Sequence, residues 1–145
     1  FSCGNGGSMC DAIHLAEELS GRYRQDRKSL PAIAISDPGH LSCVANDYGY
    51  ETVFSRQIEA LANSNDVLIA ITTSGNSPNI LKAVEVARAK GVFVIGLLGK
   101  SGGNLKSITD LALVVPSDDT PRIQEAHITI GHIICELVEK ELFPR

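Results

Sequence analysis

The sequence has no excess of positive charge, and this argues against a nucleic-acid-binding protein. Its 13 Lys and Arg residues are outnumbered by 17 Asp and Glu residues, so the formal net charge is −4. A protein that binds nucleic acid normally carries a basic stripe. The charge is compatible with a phosphorylated small molecule, because backbone N–H groups hold phosphate without cationic side chains.

Long apolar runs and cysteine pairs are also missing. No apolar run approaches the ~20 residues of a membrane-spanning helix, and the first residues show no signal-peptide pattern. The four cysteines, at positions 3, 10, 43 and 135, form no CxxC motif. We therefore expect reduced thiols in a cytoplasmic protein.

The chain does not begin with Met, and only three residues precede its first glycine-rich loop. A strand that enters such a loop needs about five residues. We therefore expect an N-terminal element, absent here, to lie outside this sequence.

What is present is an alternation of apolar runs and helical patterns in a chain of 145 residues, 43% of them hydrophobic. The runs are continuously apolar, which is typical of parallel strands covered on both faces. They lie at residues 1–3, 31–36, 66–72, 91–99 and 111–116, and helical patterns lie at about 8–21, 37–61, 78–90 and 121–142. We predict one domain, residues 1–145, with a three-layer α/β fold and a doubly wound sheet of five parallel strands.

Ligands of such sheets bind outside the carboxyl ends of the strands. The loop TTSGNS, residues 72–77, follows one apolar run and opens a helix. Ser77 and Pro78 alone fit an N-cap and the first helical position. The additional hydroxyls of Thr72, Thr73 and Ser74 favour a phosphate site at the helix N-terminus, although the GxxxxGK[ST] pattern of a P-loop is absent.

The loop CGNGGS, residues 3–8, does not satisfy the dinucleotide pattern GxGxxG. A nicotinamide cofactor is therefore disfavoured. The better interpretation is close approach of a small polar ligand to the backbone of Gly6 and Gly7.

His14 and Glu18 are four residues apart on the first helix, so they share a face. A surface pairing is the ordinary explanation. The last helix places Gln124 and His132 on one largely apolar stripe, whereas His127 points roughly 140° away from His132. Polar groups on such stripes need partners, so a zinc-type site between the two helices is the alternative.

These motifs together resemble the sugar isomerase (SIS) domain family, and within it the phosphoheptose isomerases, over essentially the whole chain. The segments that carry the resemblance are SCGNGGS, HLAEELSGRY, AIAISDPGHLSCVANDYGY, FSRQIEAL, DVLIAITTSGNSPNILKA and RIQEAHITIGHII. The resemblance implies a five-stranded doubly wound sheet, an N-terminal helical segment not present here, and a homotetramer with active sites at its interfaces. It implies conversion of D-sedoheptulose 7-phosphate to D-glycero-D-manno-heptose 7-phosphate, the first step towards ADP-heptose for lipopolysaccharide core.

The resemblance also implies roles for individual residues. One zinc per subunit would be held by His14, Glu18, Gln124 and His132. Glu18 and His132 would form the acid–base pair. Substrate would be contacted by Asn5, Gly6, Gly7, Glu18, Asn46, Asp47 and Gln124, and its phosphate by Thr72, Thr73, Ser74 and Ser77.

A non-catalytic SIS protein is the competing hypothesis. Such a protein would bind a replication initiator or sense a sugar phosphate with a similar sheet and phosphate loop. The combination of His14, Glu18 and His132 favours the enzyme, because a scaffold has no need of three ionisable side chains.

Overall fold

The structure, a computed structural model, describes residues 1–144. Strands and helices alternate along most of the chain, as the apolar runs predict. The elements are β1 (Ser2–Gly4), α1 (Gly7–Ser20), α2 (Pro38–Tyr48), α3 (Ser55–Leu61), β2 (Val67–Thr72), α4 (Pro78–Ala89), β3 (Phe93–Gly99), β4 (Leu111–Val115) and α5 (Thr120–Leu142). Short 3₁₀ turns cover Tyr50–Thr52 and Asn104–Ser107.

Within residues 1–144 the sheet has four strands, all parallel, in the order β1-β2-β3-β4. The prediction of five strands is therefore wrong. The segment 31–36 contributes only an isolated parallel bridge between Ser2 and Ala34. Two hydrogen bonds make this bridge, from the Ser2 N–H to the Ile33 carbonyl and from the Ile35 N–H to the Ser2 carbonyl. Because β1 is three residues long and Pro31 lacks an amide hydrogen, the apolar segment finds too few backbone partners to form a ladder.

Helices cover both faces of the sheet, so the layers are three, as predicted. On one face α1 and α5 pack on the strands through a cluster that includes Leu15, Cys135, Ile71 and Leu97. On the other face lie α2, α3 and α4, with a larger cluster. Successive residues of a strand point to opposite faces, which explains why the runs are apolar throughout.

The helical pattern predicted at 37–61 is interrupted. Helix α2 ends at Tyr48 and is capped by Gly49, whose φ of 90° lies in the left-handed region that favours glycine. The chain then forms the 3₁₀ turn and begins α3 at Ser55. The break redirects Tyr50 towards the glycine loop.

The connections place a switch point between β1 and β2. From β1 the chain passes through α1 to the bridge segment on one side, and it then crosses back to β2 on the other side. The loops after β1 and β2 therefore diverge from adjacent strand ends, where ligands of doubly wound sheets bind. Among the described residues, 1–144, no helix combines the length and apolarity needed to cross a membrane.

Candidate active site

The loop after β2, residues 72–77, gathers three hydroxyl groups at the carboxyl end of the sheet; we call it the hydroxyl loop. The Thr72 Oγ1 atom lies 3.0 Å from the Ser77 Oγ atom and 3.3 Å from the Ser74 Oγ atom. Thr72 is buried, whereas the two serines are half-buried. The hydroxyls can therefore act together on a group at the entrance of α4.

Ser77 occupies the N-cap position of α4, but its hydroxyl makes no capping hydrogen bond. Its carbonyl accepts from the Ile80 N–H at 3.1 Å, as at any helix start. The cap interpretation therefore accounts for the backbone of Ser77 and leaves its hydroxyl unexplained. The Ser77 hydroxyl instead lies beside the Thr72 hydroxyl. The positive end of the dipole of α4 favours an anion at this position.

The hydroxyl loop is held by a second glycine-rich loop, residues 99–104. Gly75 has a φ of 68°, and a Cβ atom there would lie 2.0 Å from the Gly102 carbonyl oxygen. The Gly75 carbonyl in turn accepts from the Leu105 N–H at 3.1 Å. Thr73 is half-buried, and its carbonyl oxygen would lie 2.4 Å from a Cβ atom on Gly99. This close backbone packing fixes the loop before any ligand arrives.

The glycine loop after β1 is joined to the hydroxyl-loop helix by paired amides. The Asn5 Nδ2 atom donates to the Asn79 Oδ1 atom at 2.9 Å, and the Asn79 Nδ2 atom donates to the Asn5 Oδ1 atom at 2.8 Å. The Tyr50 hydroxyl also donates to Asn5, at 3.1 Å. These bonds cross the switch point and hold the glycine loop, which includes Gly6 and Gly7, close to the start of α4.

Asn46 and Asp47, two of the predicted substrate residues, lie near the end of α2. They are exposed, and the Asn46 Nδ2 atom donates to the Asp47 Oδ1 atom at 2.8 Å. Within residues 1–144 their side-chain hydrogen bonds stay inside α2, so none of these bonds joins them to the hydroxyl loop or to the glycine loop.

The seam between α1 and α5 brings together three predicted metal ligands. The His14 Nε2 atom lies 3.3 Å from the Glu18 Oε1 atom and 3.4 Å from the His132 Nε2 atom. All three ligand atoms lie within 4.8 Å of one another. Two imidazole nitrogens and a carboxylate oxygen are the donor types that zinc prefers, and three such ligands leave a position open. The three side chains can therefore hold a metal ion.

Comparison with known proteins agrees with this geometry. The SIS domain family model matches residues 1–99. A phosphoheptose isomerase from Cytophaga hutchinsonii is 60% identical over 143 residues, which are 98% of this chain and 75% of that protein. One from Fusobacterium nucleatum is 55% identical over 98% of this chain and 73% of its own length.

A solved phosphoheptose isomerase from Francisella tularensis superposes with a TM-score of 0.92 at 42% identity, over 96% of this chain and 75% of that one. The chain belongs to the phosphoheptose isomerase family of SIS domain proteins. The remaining contacts of this SIS domain extend the seam in both directions from the ligand cluster.

Gln124, the fourth predicted ligand, lies towards the glycine-loop end of the seam. Its side-chain amide packs so closely on Gly7 that a Cβ atom there would lie 2.5 Å from the Gln124 Nε2 atom. Gln124 and His132 are two helical turns apart, about 12 Å along the axis. The amide therefore lies against the glycine loop.

Tyr23 covers His132 from the other side. The two rings are stacked, with centroids 6.0 Å apart and an interplanar angle of 26°. The His14 ring meets the His132 ring edge-on, at a centroid separation of 5.1 Å. His132 is thus held between two rings, which restricts the directions available to its Nε2 atom.

A buried ion pair closes the far end of the seam. The Arg27 Nε atom donates to the Glu139 Oε2 atom at 3.2 Å, and the exposed fractions of the two side chains are 2% and 4%. Arg27 also donates to the carbonyls of Glu18 and Leu19, at 2.8 Å each. The guanidinium therefore satisfies the last carbonyls of α1, which have no partners inside the helix.

Sequence reasoning missed several of these residues. Asn79 had a usable signal, because it is a polar residue in the first turn of the helix that the hydroxyl loop opens. Tyr23 and Arg27 follow α1 in the stretch GRYRQDRK. This run is basic and polar, and nothing in its pattern marks the Arg27 side chain as buried. Their partners, His132 and Glu139, are more than a hundred residues away, so pattern alone could not find them.

Proposed function

We propose that this chain interconverts D-sedoheptulose 7-phosphate and D-glycero-D-manno-heptose 7-phosphate. The activity is an aldose–ketose isomerisation, in which one proton moves between C1 and C2 and another between the attached oxygens. The observation that carries the proposal is the convergence of His14, Glu18 and His132 within 4.8 Å on a phosphoheptose isomerase fold.

Glu18 is the proposed carbon base. Its carboxylate takes the proton from C1 of the ketose, which forms an enediolate, and returns that proton to C2 to give the aldose. His132 moves the hydroxyl proton from O1 to O2, so charge and atoms balance. Positioned acids and bases of this kind contribute rate factors of roughly 10² to 10⁴.

One zinc ion per chain fits the same cluster, with His14, Glu18 and His132 as ligands. We propose Gln124 as a fourth, oxygen ligand, which requires its amide to turn from Gly7 towards the cluster. A bound divalent cation would supply Lewis-acid stabilisation of negative charge on the sugar oxygens.

The phosphate of the substrate belongs, in this proposal, at the hydroxyl loop. Binding energy from this remote group positions the reacting carbons. The full set of proposed substrate contacts is Asn5, Gly6, Gly7, Glu18, Asn46, Asp47, Thr72, Thr73, Ser74, Ser77 and Gln124. Asn46 and Asp47 would complete the site from α2, and a movement of that helix or a neighbouring subunit would bring them to it.

The assembly and setting follow the family resemblance. We propose a single SIS domain over residues 1–145 that forms a homotetramer with active sites at the interfaces. The exposed apolar side chains of α1 and α5, such as Ile13, Ile133 and Leu137, support an interface there. We further propose a cytoplasmic enzyme, consistent with four free cysteines, that begins the supply of ADP-heptose for lipopolysaccharide core.

A coupled assay tests the activity. Purified chain should convert sedoheptulose 7-phosphate, should lose activity with a chelator and should regain it with zinc. Unphosphorylated sedoheptulose should be a poor substrate at equal concentration. Binding of the sugar phosphate without turnover, at any metal concentration, would contradict the proposal and favour the non-catalytic SIS protein.

A further inference from the structure

Asp11 and His127 are polar residues of the seam that the proposed reaction does not use. His127, on α5, is 1% exposed, and Asp11, on α1, is half-buried. Within residues 1–144, the Asp11 Oδ2 atom and the His127 Nδ1 atom are buried and make no hydrogen bond. Buried polar atoms are nearly always paired, so two orphaned atoms in one seam require an explanation.

The other ring nitrogen of His127 shows where its proton is. The His127 Nε2 atom lies 2.9 Å from the Leu98 carbonyl oxygen of β3. A carbonyl only accepts, so Nε2 must donate and must carry hydrogen. The Nδ1 atom is therefore either a free lone pair or a second N–H group, and in both states it needs a partner.

The packing of the two helices puts Asp11 and His127 at the same level of the seam. Gly7 lies against Gln124 at one level, and Leu15 approaches Gly131 two turns further along. Asp11 is midway between Gly7 and Leu15 on α1. His127 is nearly midway between Gln124 and Gly131 on α5, so the two residues lie at about the same height along the helix pair.

The electrostatics agree with this placement. Burial raises the pKa of the Asp11 carboxyl, and the nearby His127 and His14 rings oppose that rise. Burial lowers the pKa of His127, while its bond to the Leu98 carbonyl and the nearby Asp11 charge oppose that fall. Each residue is thus among the charges that act on the other.

We propose that a rotation of the Asp11 side chain, which is not hydrogen-bonded to His127 in this structure, brings its carboxyl group to the His127 Nδ1 atom, so that the two residues share one proton and this bond holds the register of α1 against α5. Either the Asp11 carboxyl O–H donates to a neutral Nδ1 atom, or an Nδ1–H group donates to the Asp11 carboxylate. The proton count is the same in the two forms, and both satisfy the two orphaned atoms. Helix α1 is thereby tied through His127 to the Leu98 carbonyl in the sheet.

The bond makes Asp11 and His127 positioning residues for the ligand cluster, a consequence that rests on the proposed function. His14 follows Asp11 by one turn and carries the Nε2 atom that faces both Glu18 and His132. A slip of α1 along α5 would separate these atoms. Residues that orient metal ligands typically change metal affinity by 10- to 100-fold when they are replaced.

The first test is nitrogen NMR of the four histidine rings in metal-free protein, which does not depend on turnover. The Asp11→Ala variant removes the partner, and a His127→Gln spectrum identifies the His127 signals. We expect the Nδ1 resonance of His127 to shift in Asp11→Ala, while its Nε2 resonance stays near the wild-type position. Asp118→Ala, which removes an exposed carboxylate, is the control. An unchanged Nδ1 resonance in Asp11→Ala would overturn the proposal.

The second test measures zinc affinity by competition with a chelator. Asp11→Ala should weaken zinc binding by about tenfold. Asp11→Asn should stay close to wild type, because its amide N–H can donate to the Nδ1 lone pair and replace the bond. Equal affinity in Asp11→Ala and wild type, or equal loss in both Asp11 variants, would overturn the positioning role. If the wild type fails the isomerase assay but the NMR result is as expected, the proposed function is wrong and the proposed proton shared by Asp11 and His127 is retained.

Discussion

The hydroxyl loop and the α1–α5 seam reach their geometry in different ways. The hydroxyl loop is local: Thr72, Ser74 and Ser77 lie within six consecutive residues, and close backbone packing at Gly75 fixes their positions. The seam joins His14 to His132 across 118 positions of the chain. Helix packing, ring stacking and a buried ion pair hold it. Substitutions in the loop should therefore act on ligand binding, whereas substitutions in the seam should act on turnover and on stability.

The largest effect is expected at the proposed acid–base pair. Glu18→Gln and His132→Ala should each lower kcat by roughly 10² to 10⁴, because they would remove the groups that we propose move the protons. Circular dichroism should show an unchanged fold. Glu17→Gln is the matched control, since Glu17 is the exposed neighbour whose Oε1 atom lies 3.8 Å from the His14 Nε2 atom. Wild-type turnover in both test variants would end the assignment.

The next effect is on stability, at the far end of the seam. Glu139→Gln leaves the Arg27 guanidinium buried without its countercharge, and it should lower the free energy of unfolding by about 3–5 kcal/mol. Glu136→Gln, one turn earlier, weakens the surface contacts with Lys140 and Arg24 and should cost less than about 1 kcal/mol. Urea unfolding measures both. Similar values for the two variants would mean that the buried pair does not hold the seam.

A smaller effect should separate the hydroxyl loop from the seam. Ser74→Ala and Ser77→Ala together would remove the proposed hydrogen bonds to the substrate phosphate, and hydrogen bonds to a charged group are worth about 1.5–3 kcal/mol each. The double variant should therefore raise KM for the phosphosugar by at least about tenfold, with a smaller change in kcat. Activity on unphosphorylated sedoheptulose should not change, and Ser42→Ala, in α2, is the control. A loss of kcat at unchanged KM would place the loop in the chemical step instead.

The smallest effect concerns the buried thiols. Burial raises the pKa of Cys3 to about 12 and that of Cys135, in the seam, to about 11. Few thiolates form at pH 8, so both cysteines should resist iodoacetamide in the native protein. The exposed Cys10 and Cys43 should react and serve as internal controls. Mass spectrometry of the labelled protein measures this. If Cys135 reacts as readily as Cys10, the seam opens more than the account allows.

The contrast also explains what the sequence could predict. The sequence predicts the position of the hydroxyl loop, the apolar strands and the starts of α4 and α5 (α5 to within one residue), because each depends on neighbouring residues. The prediction of a fifth strand at 31–36 is wrong. This segment meets only the short β1, through one isolated bridge, and within residues 1–144 it has no strand on its other side. The break at Gly49 depends on a backbone conformation that an Asp-Tyr-Gly-Tyr stretch only suggests.

The seam could be hypothesised but not built from the sequence. Helical periodicity placed His14 with Glu18 and marked His132 as a polar residue on an apolar stripe. It did not show that the two helices meet, that Tyr23 stacks on His132, or that Gln124 lies against Gly7. Those facts follow from packing between distant elements, which a single sequence does not contain.

Hydrogen transfer between the two carbons tests the central claim most directly, namely that Glu18 carries the proton from C1 to C2. Sedoheptulose 7-phosphate labelled with deuterium at C1 should be converted in ordinary water, and the aldose product analysed by NMR and mass spectrometry. We expect deuterium at C2 of the product with wild type and with Glu17→Gln, and neither deuterium at C2 nor product with Glu18→Gln. Product without deuterium at C2 from the wild type, or deuterium at C2 at the wild-type level from Glu18→Gln, would contradict the claim.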